Sequence, residues 1–421
     1  MTGPRYETIL HGVKVRYRFR FYPTPEQEHI LARTFGACRY VYNWALRLRT
    51  DAYQAGGRIN YNQSSAALTD LKTQPEHAWL NEIHSVPVQQ SLRHLQTAFR
   101  NFFEKRAAYP SFRKKRGRQS AEYTTSAFRW DAERKVLRIP QAGSLKIRWS
   151  RDFTSAPTTV TITKHEDGRW FATLVLDEKI EKLPKTGKNV GVDLGISRLA
   201  TLSNGERIPN PRALARRTRQ LVRAQRVLSR RKRGSGRRCR QKLCVARIHS
   251  RIADARADHL HKITTDLVRR FDVICMEDLN IRGMVRNHHL ARSLSDAALG
   301  MFDRMVGYKC GWYGKEQRHV DRFFPSSKRC HVCGYILESL PLDVREWDCP
   351  ECKTHHDRDE NAAKNIESEG KSLPAAGHAV GIARGGSARP VRASARKGSI
   401  RRTVNQPGNR CSHRASGIRL L

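Results

Sequence analysis

Residues 13–22 alternate between apolar and basic side chains. Successive side chains of a β-strand point to opposite faces, so the segment predicts a strand with one apolar and one cationic face. A sheet with one solvated face would show the same alternation. Four cations with no acid among them favour contact with phosphates instead. The apolar face holds Val13, Val15, Tyr17, Phe19 and Phe21, and the cationic face holds Lys14, Arg16, Arg18 and Arg20.

In the next segment the hydrophobic positions have the spacing of a helix. Thr24, Pro25 and Gln27 carry the start signals of a helix: an N-cap, a first-turn proline and a capping box. A second helix is predicted over about 87–106. Its predicted core residues are Leu92, Leu95, Phe99, Phe102 and Phe103.

From about residue 123 the period returns to two, and Glu166-Asp167-Gly168 predicts a hairpin turn. Strands are predicted over 136–139, 145–147, 158–164 and 169–176. The helical block is therefore interpreted as an insertion between the first strand and the rest of a small β unit, such as a barrel.

The second half of the chain begins with two short predicted strands, 189–194 and 197–203. Residues 212–270 are predicted to be helical and strongly basic, with a break near Gly234-Ser235-Gly236. An apolar strand over 273–276 then leads to Glu277, and a helix is predicted over about 296–315.

The net charge of the chain indicates which class of molecule it binds. Lysine and arginine total 80 and aspartate and glutamate total 39, so the net charge is +41. Such an excess implies a polyanionic partner, and its spread along the chain favours a long nucleic acid over a small phosphate ligand. The basic helical stretch is either a solvated face or a groove for that backbone.

A membrane surface would also attract this charge. The chain has no run of 18 or more apolar residues, and its N-terminus lacks the apolar segment of a signal peptide. We therefore expect no membrane partner and a location in the cytosol, together with the nucleoid, of a bacterium or archaeon. Six of the ten cysteines lack the spacing of a disulfide framework, which favours reduced thiols.

The other four cysteines form two Cys-x-x-Cys pairs separated by fifteen residues. They are Cys330, Cys333, Cys349 and Cys352. Paired thiolates at this spacing predict a four-coordinate zinc site, which is coordinatively closed and therefore structural. A disulfide pair or a redox motif is the alternative, and a histidine at 331, 355 or 356 could replace one sulfur.

Three acids are candidate ligands for a second metal. Asp193 and Glu277 each follow an apolar strand, where an unpaired charge would be costly to bury. Asp359 precedes a helical run and could instead cap that helix. Taken singly, each acid fits a structural role. Taken together, the three predict a hard-oxygen site for Mg²⁺ or Mn²⁺, of the kind that hydrolyses phosphodiesters with two ions about 4 Å apart.

These motifs together resemble the TnpB family of transposon-encoded, RNA-guided DNA nucleases, which are related to type V CRISPR effectors. The resemblance covers about residues 13–367. It rests on Gly191–Ile196, Glu277–Leu279, the cysteine pairs, His356–Ala363, and the N-terminal segments Arg20–Thr24, Tyr42–Trp44 and Tyr109–Lys115.

The resemblance implies an α+β multidomain fold. A β-barrel wedge with an inserted helical recognition lobe would precede an RNase H-like (RuvC) α/β nuclease domain, which holds an inserted four-cysteine zinc ribbon. The expected boundaries are wedge 1–24 and 121–184, helical lobe 25–120, nuclease 185–325 and 355–369, ribbon 326–354, and a basic disordered tail 370–421.

The resemblance also implies an activity and its partners. Asp193, Glu277 and Asp359 match the catalytic metal-binding acids, with Asp357 as the fallback for Asp359. The partners would be a guide RNA from the transposon end and target double-stranded DNA carrying a short adjacent motif, and Gln89 lies in the region that resembles the motif reader. A strand-transfer transposase and a non-cutting, guide-directed DNA-binding regulator are the alternatives.

Overall fold

The computed structural model describes residues 12–115, 117–341 and 343–373. They belong to two compact units: one contains the chain up to Lys179 with Arg231–Leu243, and the other contains Ile180–Arg230 with the chain from Cys244 onward. The predicted disordered tail starts too early at residue 370, because a helix extends to Ser372, and its remainder from position 374 lies outside the described residues. None of the helices in the described ranges has the length and apolar character that crossing a membrane requires.

The first unit combines a helical block with two antiparallel sheets, one of five strands and one of three. Its helices are α1 (Pro25–Gln54), α2 (Tyr61–Thr73), α3 (Ser85–Phe103) and the 3-10 helices Pro75–Glu82 and Thr125–Ala127. Its strands are β1 (Val13–Phe21), β2 (Gln119–Thr124), β3 (Arg129–Asp131), β4 (Val136–Ile139), β5 (Gly143–Ser144), β6 (Ile147–Arg148), β7 (Thr159–Lys164) and β8 (Trp170–Glu178). The strand order is β2-β7-β8-β1-β6 in the larger sheet and β3-β4-β5 in the smaller one.

Strand β1 has the predicted two-faced pattern. Val15, Phe19 and Phe21 are buried, and the four cations are exposed. The segment itself holds no acid to balance these cations, but other strands of the same sheet contribute acids. Asp177 on β8 lies directly opposite Lys14. A hydrogen bond from His94 lowers the pKa of Glu122 on β2 and the charge of Arg16 lowers it further, which places that carboxylate near the cations.

The predicted start of α1 is confirmed, since the backbone N–H of Gln27 donates to the Thr24 hydroxyl at 3.3 Å and the Gln27 side chain accepts from the Thr24 N–H at 3.1 Å. Helix α3 ends at Phe103, three residues before the predicted end. Phe99 is buried, but 74% of Phe103 is exposed to solvent, so its assignment to the core is wrong.

The second unit is built on a five-stranded mixed sheet. Its strands are β9 (Asn189–Leu194), β10 (Arg198–Leu202), β11 (Arg207–Pro209), β12 (Val273–Glu277), β13 (Glu316–Val320), β14 (Glu346–Asp348) and β15 (His355–Asp357). The order of strands in the five-stranded sheet is β11-β10-β9-β12-β13. Its helices are α4 (Ala213–Arg230), α5 (Gly236–Arg270, whose first residues belong to the first unit), α6 (Ile281–Met284), α7 (His288–Ala297), α8 (Leu299–Tyr313) and α9 (Arg358–Ser372).

Strands β9, β12 and β13 run parallel, and β10 and β11 continue the sheet in antiparallel order. This is the mixed α/β architecture expected for this part of the chain. The helix predicted over 296–315 is interrupted, because Ala298 adopts a left-handed conformation (φ 55°) between α7 and α8. The predicted break between α4 and α5 is confirmed at Gly234 (φ 85°).

Helix α9 lies directly on the parallel strands because glycines leave room for it. A Cβ on Gly191 of β9 would come within 2.0 Å of the Ala363 carbonyl oxygen. A Cβ on Gly370 of α9 would come within 2.4 Å of the Cys275 sulfur on β12. The helix therefore approaches the sheet more closely than any side chain at these positions would allow.

Asp272, between α5 and β12, ties the segment before β9 to the sheet. It accepts hydrogen bonds from the backbone N–H groups of Thr186 (2.8 Å) and Gly187 (2.7 Å) and from the ammonium of Lys315 (2.5 Å). Burial opposes ionisation, but these donors outweigh it and lower the pKa of Asp272 to about 2.

The Asp272 contacts predict a pH-dependent stability. A carboxyl whose folded pKa is depressed stabilises the fold above its unfolded pKa, and the contribution is lost as pH falls through the folded pKa. Asp272→Asn is expected to lower the free energy of unfolding at pH 7 by about 2 kcal/mol, allowing for solvent screening. The difference should fall to about half at pH 3.

Urea unfolding at the two pH values measures this difference. Asp258→Asn is the matched control, because Asp258 pairs with Lys262 on the exposed surface of α5 and should contribute little. An Asp272→Asn effect that is equal at both pH values would contradict the assignment.

Candidate metal centres

Asp193 and Glu277 lie at the carboxyl ends of adjacent parallel strands. Val192 on β9 pairs with Met276 on β12, so the next residue on each strand is one of these acids. Adjacent strands are about 4.8 Å apart, and residues at the same level share a face of the sheet. The sheet register therefore brings together two carboxylates that are far apart in sequence.

Helix α9 contributes the third acid. Asp359 lies in its first turn, and Asp357 is its N-cap, whose carboxylate accepts the backbone N–H of Glu360 at 2.9 Å. Asp357 also accepts a hydrogen bond from Arg207 at 2.8 Å. The capping role that the sequence left open for Asp359 thus belongs to Asp357.

The three acids line one open cleft of about 980 Å³ in the second unit. Five arginines also line it: Arg198, Arg212, Arg292, Arg345 and Arg358. Carboxylates suit hard divalent cations, while guanidinium groups suit phosphate. The cleft therefore has the donor set needed to hold metal ions beside a phosphodiester.

The electrostatics of Asp193 support this proximity. Burial raises its pKa to about 7, together with the negative charges of Glu277 and Asp359, and Arg358 and Arg345 oppose the shift. The two other carboxylates are therefore close enough to act on Asp193. Repulsion among three acids is the condition that a bound cation relieves.

The four cysteines form a second, separate site. The Cys330 and Cys352 sulfurs are 3.6 Å apart, and the Cys333 and Cys349 sulfurs are 3.5 Å apart. Sulfurs 2.3 Å from a tetrahedral zinc would be about 3.8 Å from each other, so these separations fit a four-thiolate ion.

The two sites differ in how closely their donor atoms lie. Within the described ranges, the cysteines are the one group of three or more metal-ligating side chains whose donor atoms all lie within 4.8 Å of one another. Within the described residues the three carboxylates are not such a group, although they line one cleft.

The histidines near the cysteines have other partners. His356 is buried, and its Nε2 lies 3.1 Å from the Cys330 sulfur, where an N–H can donate to a thiolate. His331 contacts Asn361 at 3.0 Å, and His355 contacts Asp348 at 2.8 Å. Four sulfurs with His356 as a hydrogen-bonding neighbour account for the site better than a histidine ligand.

Three segments of the chain match known family models. Residues 172–288 match a model described as a probable transposase, residues 300–366 match a Cas12f1-like TNB domain, and residues 13–58 match a helix-turn-helix domain. The first two segments contain all three acids and all four cysteines. In this structure residues 13–58 contain strand β1 and the single long helix α1.

Curated relatives match over almost the whole chain. A Streptomyces pristinaespiralis protein named "Putative RNA-guided DNA endonuclease" is 47% identical over 408 residues, which is 96% of this chain and 98% of the relative. A protein of Escherichia coli K12 named "Putative RNA-guided DNA endonuclease InsQ" is 31% identical over 86% of this chain and 94% of its own length. This chain belongs to the TnpB family.

The fold of this TnpB-family chain resembles that of Cas12f1. A cryo-EM structure of a Cas12f1–sgRNA–target DNA complex matches with a TM-score of 0.56 and 13% sequence identity, covering 85% of this chain and 99% of the Cas12f1 chain. At that identity the match shows a shared fold.

Sequence reasoning missed the residues that hold the acids of this TnpB-family chain in place. The Ser326 hydroxyl donates to the Glu277 carboxylate. Buried Asn365 of α9 donates to the Ser326 carbonyl at 2.8 Å, and both Asn361 and Asn365 donate to the Arg329 carbonyl, at 2.7 and 2.6 Å. The Asn-x-x-x-Asn spacing, which places two amides on one helix face, was the available signal.

The predicted nucleic-acid contacts all lie in the first unit. Lys14, Arg16, Arg18 and Arg20 are exposed on one face of β1, and Gln89 is exposed on α3. In the second unit, the basic helix α4 presents arginines at a 4-3-4 spacing, which is one helix face. Arg219, Arg223, Arg226 and Arg230 line a shallow groove there.

Proposed function

We propose that this protein is an RNA-guided DNA endonuclease of an insertion sequence, and that it hydrolyses phosphodiester bonds at Asp193, Glu277 and Asp359. The observation that carries the proposal is the convergence of these three acids on one arginine-lined cleft in a chain of the TnpB family. Its partners are a guide RNA and target double-stranded DNA, which agrees with a net charge of +41.

The three carboxylates would hold Mg²⁺ or Mn²⁺. When bound, such ions would supply an activated water and stabilise the leaving oxygen of an in-line displacement. Ser326 orients Glu277 through its hydroxyl. Arg345, whose guanidinium lies 3.4 Å from the Asp359 carboxylate, and Arg358 are placed to bind the phosphate beside the acids.

Guide pairing would select the target, while the protein would read backbone, shape and a short adjacent motif. We assign backbone contacts to the cationic face of β1 and motif contact to Gln89. The five-stranded sheet of the first unit would form the barrel wedge, with α1–α3 as the recognition lobe. The protein would act in the cytosol, where the nucleoid DNA lies.

A guided cleavage assay tests the function. The purified chain, loaded with RNA transcribed from its own element's end, is given Mg²⁺ and a matched or a mismatched target. We expect cleavage of the matched target alone. If a gel shift shows that the matched DNA is bound and the DNA nevertheless stays intact, the proposal is contradicted. The non-cutting, guide-directed regulator would then be the remaining function.

A second candidate function is strand transfer, because residues 172–288 match the model described as a probable transposase. Three carboxylates on a mixed α/β sheet support both hydrolysis and strand joining. Sequencing the products of the same reaction separates them, since joined DNA ends indicate strand transfer and cut ends without joining indicate hydrolysis.

We propose that the four-cysteine site binds structural Zn²⁺ and that residues 326–354 form a zinc ribbon. Replacing Cys349 with serine is expected to reduce bound zinc from about one ion per chain to nearly none and to lower the melting temperature, because zinc affinity contributes to folding. Elemental analysis and thermal unfolding measure the two effects. Cys310→Ser is the control, since that buried thiol lies outside the cluster and should leave zinc content unchanged.

A further inference from the structure

A partly exposed aromatic cluster in the first unit has no role in the proposed cleavage chemistry. It consists of Phe99, Phe102, Phe103 and Tyr109, at the end of α3 and in the segment that follows. Tyr109 meets Phe99 and Phe102 edge-on, with ring centroids 5.6 and 5.3 Å apart. Phe99 and Phe103 are nearly parallel, with ring centroids 6.3 Å apart.

The cluster is fixed in place but open to solvent. Arg49 of α1 lies over the Phe99 ring at 4.5 Å, and the Tyr109 hydroxyl is 2.9 Å from the Thr50 hydroxyl. Phe103 is nevertheless 74% exposed and Tyr109 is 47% exposed. A phenylalanine side chain that stays in water loses roughly 1.5–3 kcal/mol of the stabilisation that full burial would give. An ordered but exposed Phe103 ring therefore indicates a binding surface.

The charge of the segment that carries the cluster indicates the kind of partner. Residues 100–115 contain six cations and one acid, Glu104, which is itself paired with Arg106. A second copy of this chain would bring the same excess of positive charge to the surface. Aromatic rings set among cations are the surface on which single-stranded nucleic acids stack their bases.

We infer that the aromatic cluster is a stacking site for unpaired nucleotides, with Phe103 contacting a base and the nearby lysines and arginines contacting the adjoining phosphates. The inference rests on the proposed function only for the identity of the partner as a polynucleotide. The strand is an unpaired part of either the guide RNA or the opened DNA, which offer the same base and phosphate chemistry.

Binding without cleavage tests the inference, so its failure is separate from failure of the nuclease proposal. The full chain is titrated, without Mg²⁺, against fluorescein-labelled 20-nucleotide oligouridine, 20-nucleotide oligothymidine and a 20-base-pair duplex. Phe103→Ala is expected to weaken single-strand binding about tenfold, to leave duplex binding unchanged and to leave the salt slope unchanged, since stacking releases no counterions.

Three further variants sharpen the result. Phe103→Trp should restore binding, and Phe103→Leu, which is apolar but cannot stack, should not. Lys114→Ala should weaken single-strand and duplex binding alike and reduce the salt slope by about one. A larger loss of affinity for oligouridine in Phe103→Ala would identify the bound strand as RNA. A larger loss for oligothymidine would identify it as DNA.

Two results would overturn the inference. Wild-type affinity in Phe103→Leu, or equal losses for duplex and single strands, would exclude stacking. A change in oligomeric state of Phe103→Ala in sedimentation would assign the cluster to contact between copies of the chain. Because Phe103 is exposed, the variants should keep the wild-type melting temperature, which verifies that they fold.

Discussion

Replacing Asp359 with asparagine is expected to reduce the DNA cleavage rate about a thousandfold or more while leaving target binding intact. The amide keeps the shape of the side chain but removes the negative charge that a divalent cation requires. A loss of roughly 4 kcal/mol in transition-state stabilisation corresponds to that factor. Asp193→Asn and Glu277→Gln should have effects of the same order, because the three side chains share one cleft.

Asp357→Asn is the matched control two residues away. Asp357 caps α9, and asparagine is as good an N-cap as aspartate, so the helix should remain in place and cleavage should fall only slightly. Single-turnover cleavage at saturating Mg²⁺, with target binding measured by gel shift, gives the comparison. If Asp357→Asn is inactive and Asp359→Asn is active, the assignment of the third acid is reversed.

Gly191→Ala is expected to destabilise the second unit by about 3 kcal/mol or more and to abolish most cleavage. The added methyl group would come within 2.0 Å of the Ala363 carbonyl oxygen and 2.6 Å of the Glu367 backbone nitrogen. These are backbone atoms of α9, so a side-chain rotation cannot relieve the clash and the helix must move. A displaced α9 carries Asp359 away from Asp193 and Glu277.

The control for this steric effect is Gly311→Ala on α8, where a Cβ would meet no atom within 4 Å. Removing a helical glycine from open space should stabilise the unit by about 0.5–1 kcal/mol. Chemical unfolding and cleavage rates are measured for both variants. Wild-type stability and activity in Gly191→Ala would show that α9 does not need its close approach to β9.

Much of the fold followed from local sequence patterns. The alternation in β1, the capping box at Thr24 and the glycine break before α5 each depend on residues a few positions apart, and all three are confirmed. The four cysteines likewise cluster, because each Cys-x-x-Cys pair presents two sulfurs from one turn. Patterns of this kind are readable because the interacting groups are neighbours in the chain.

Other predictions failed where distant residues decide the outcome. Phe103 has the spacing of a core residue on α3, but α3 ends there and 74% of the side chain stays exposed. The acids that balance β1 come from β2 and β8, more than 100 positions away. The hydrophobic pattern along the sequence gives the periodicity of a helix or strand. It does not show which distant residues pack against that element.

The sequence by itself determined which side chains this protein has for chemistry: carboxylates at the ends of apolar strands, two pairs of cysteines and a large excess of cations. Only the tertiary structure decided how they are used. It assigned the cap of α9 to Asp357 and placed Asp359 in the cleft. It also brought Ser326 to Glu277, a contact across 49 positions. Such contacts depend on strand register and on the close packing of a helix against a sheet, which are properties of the whole chain.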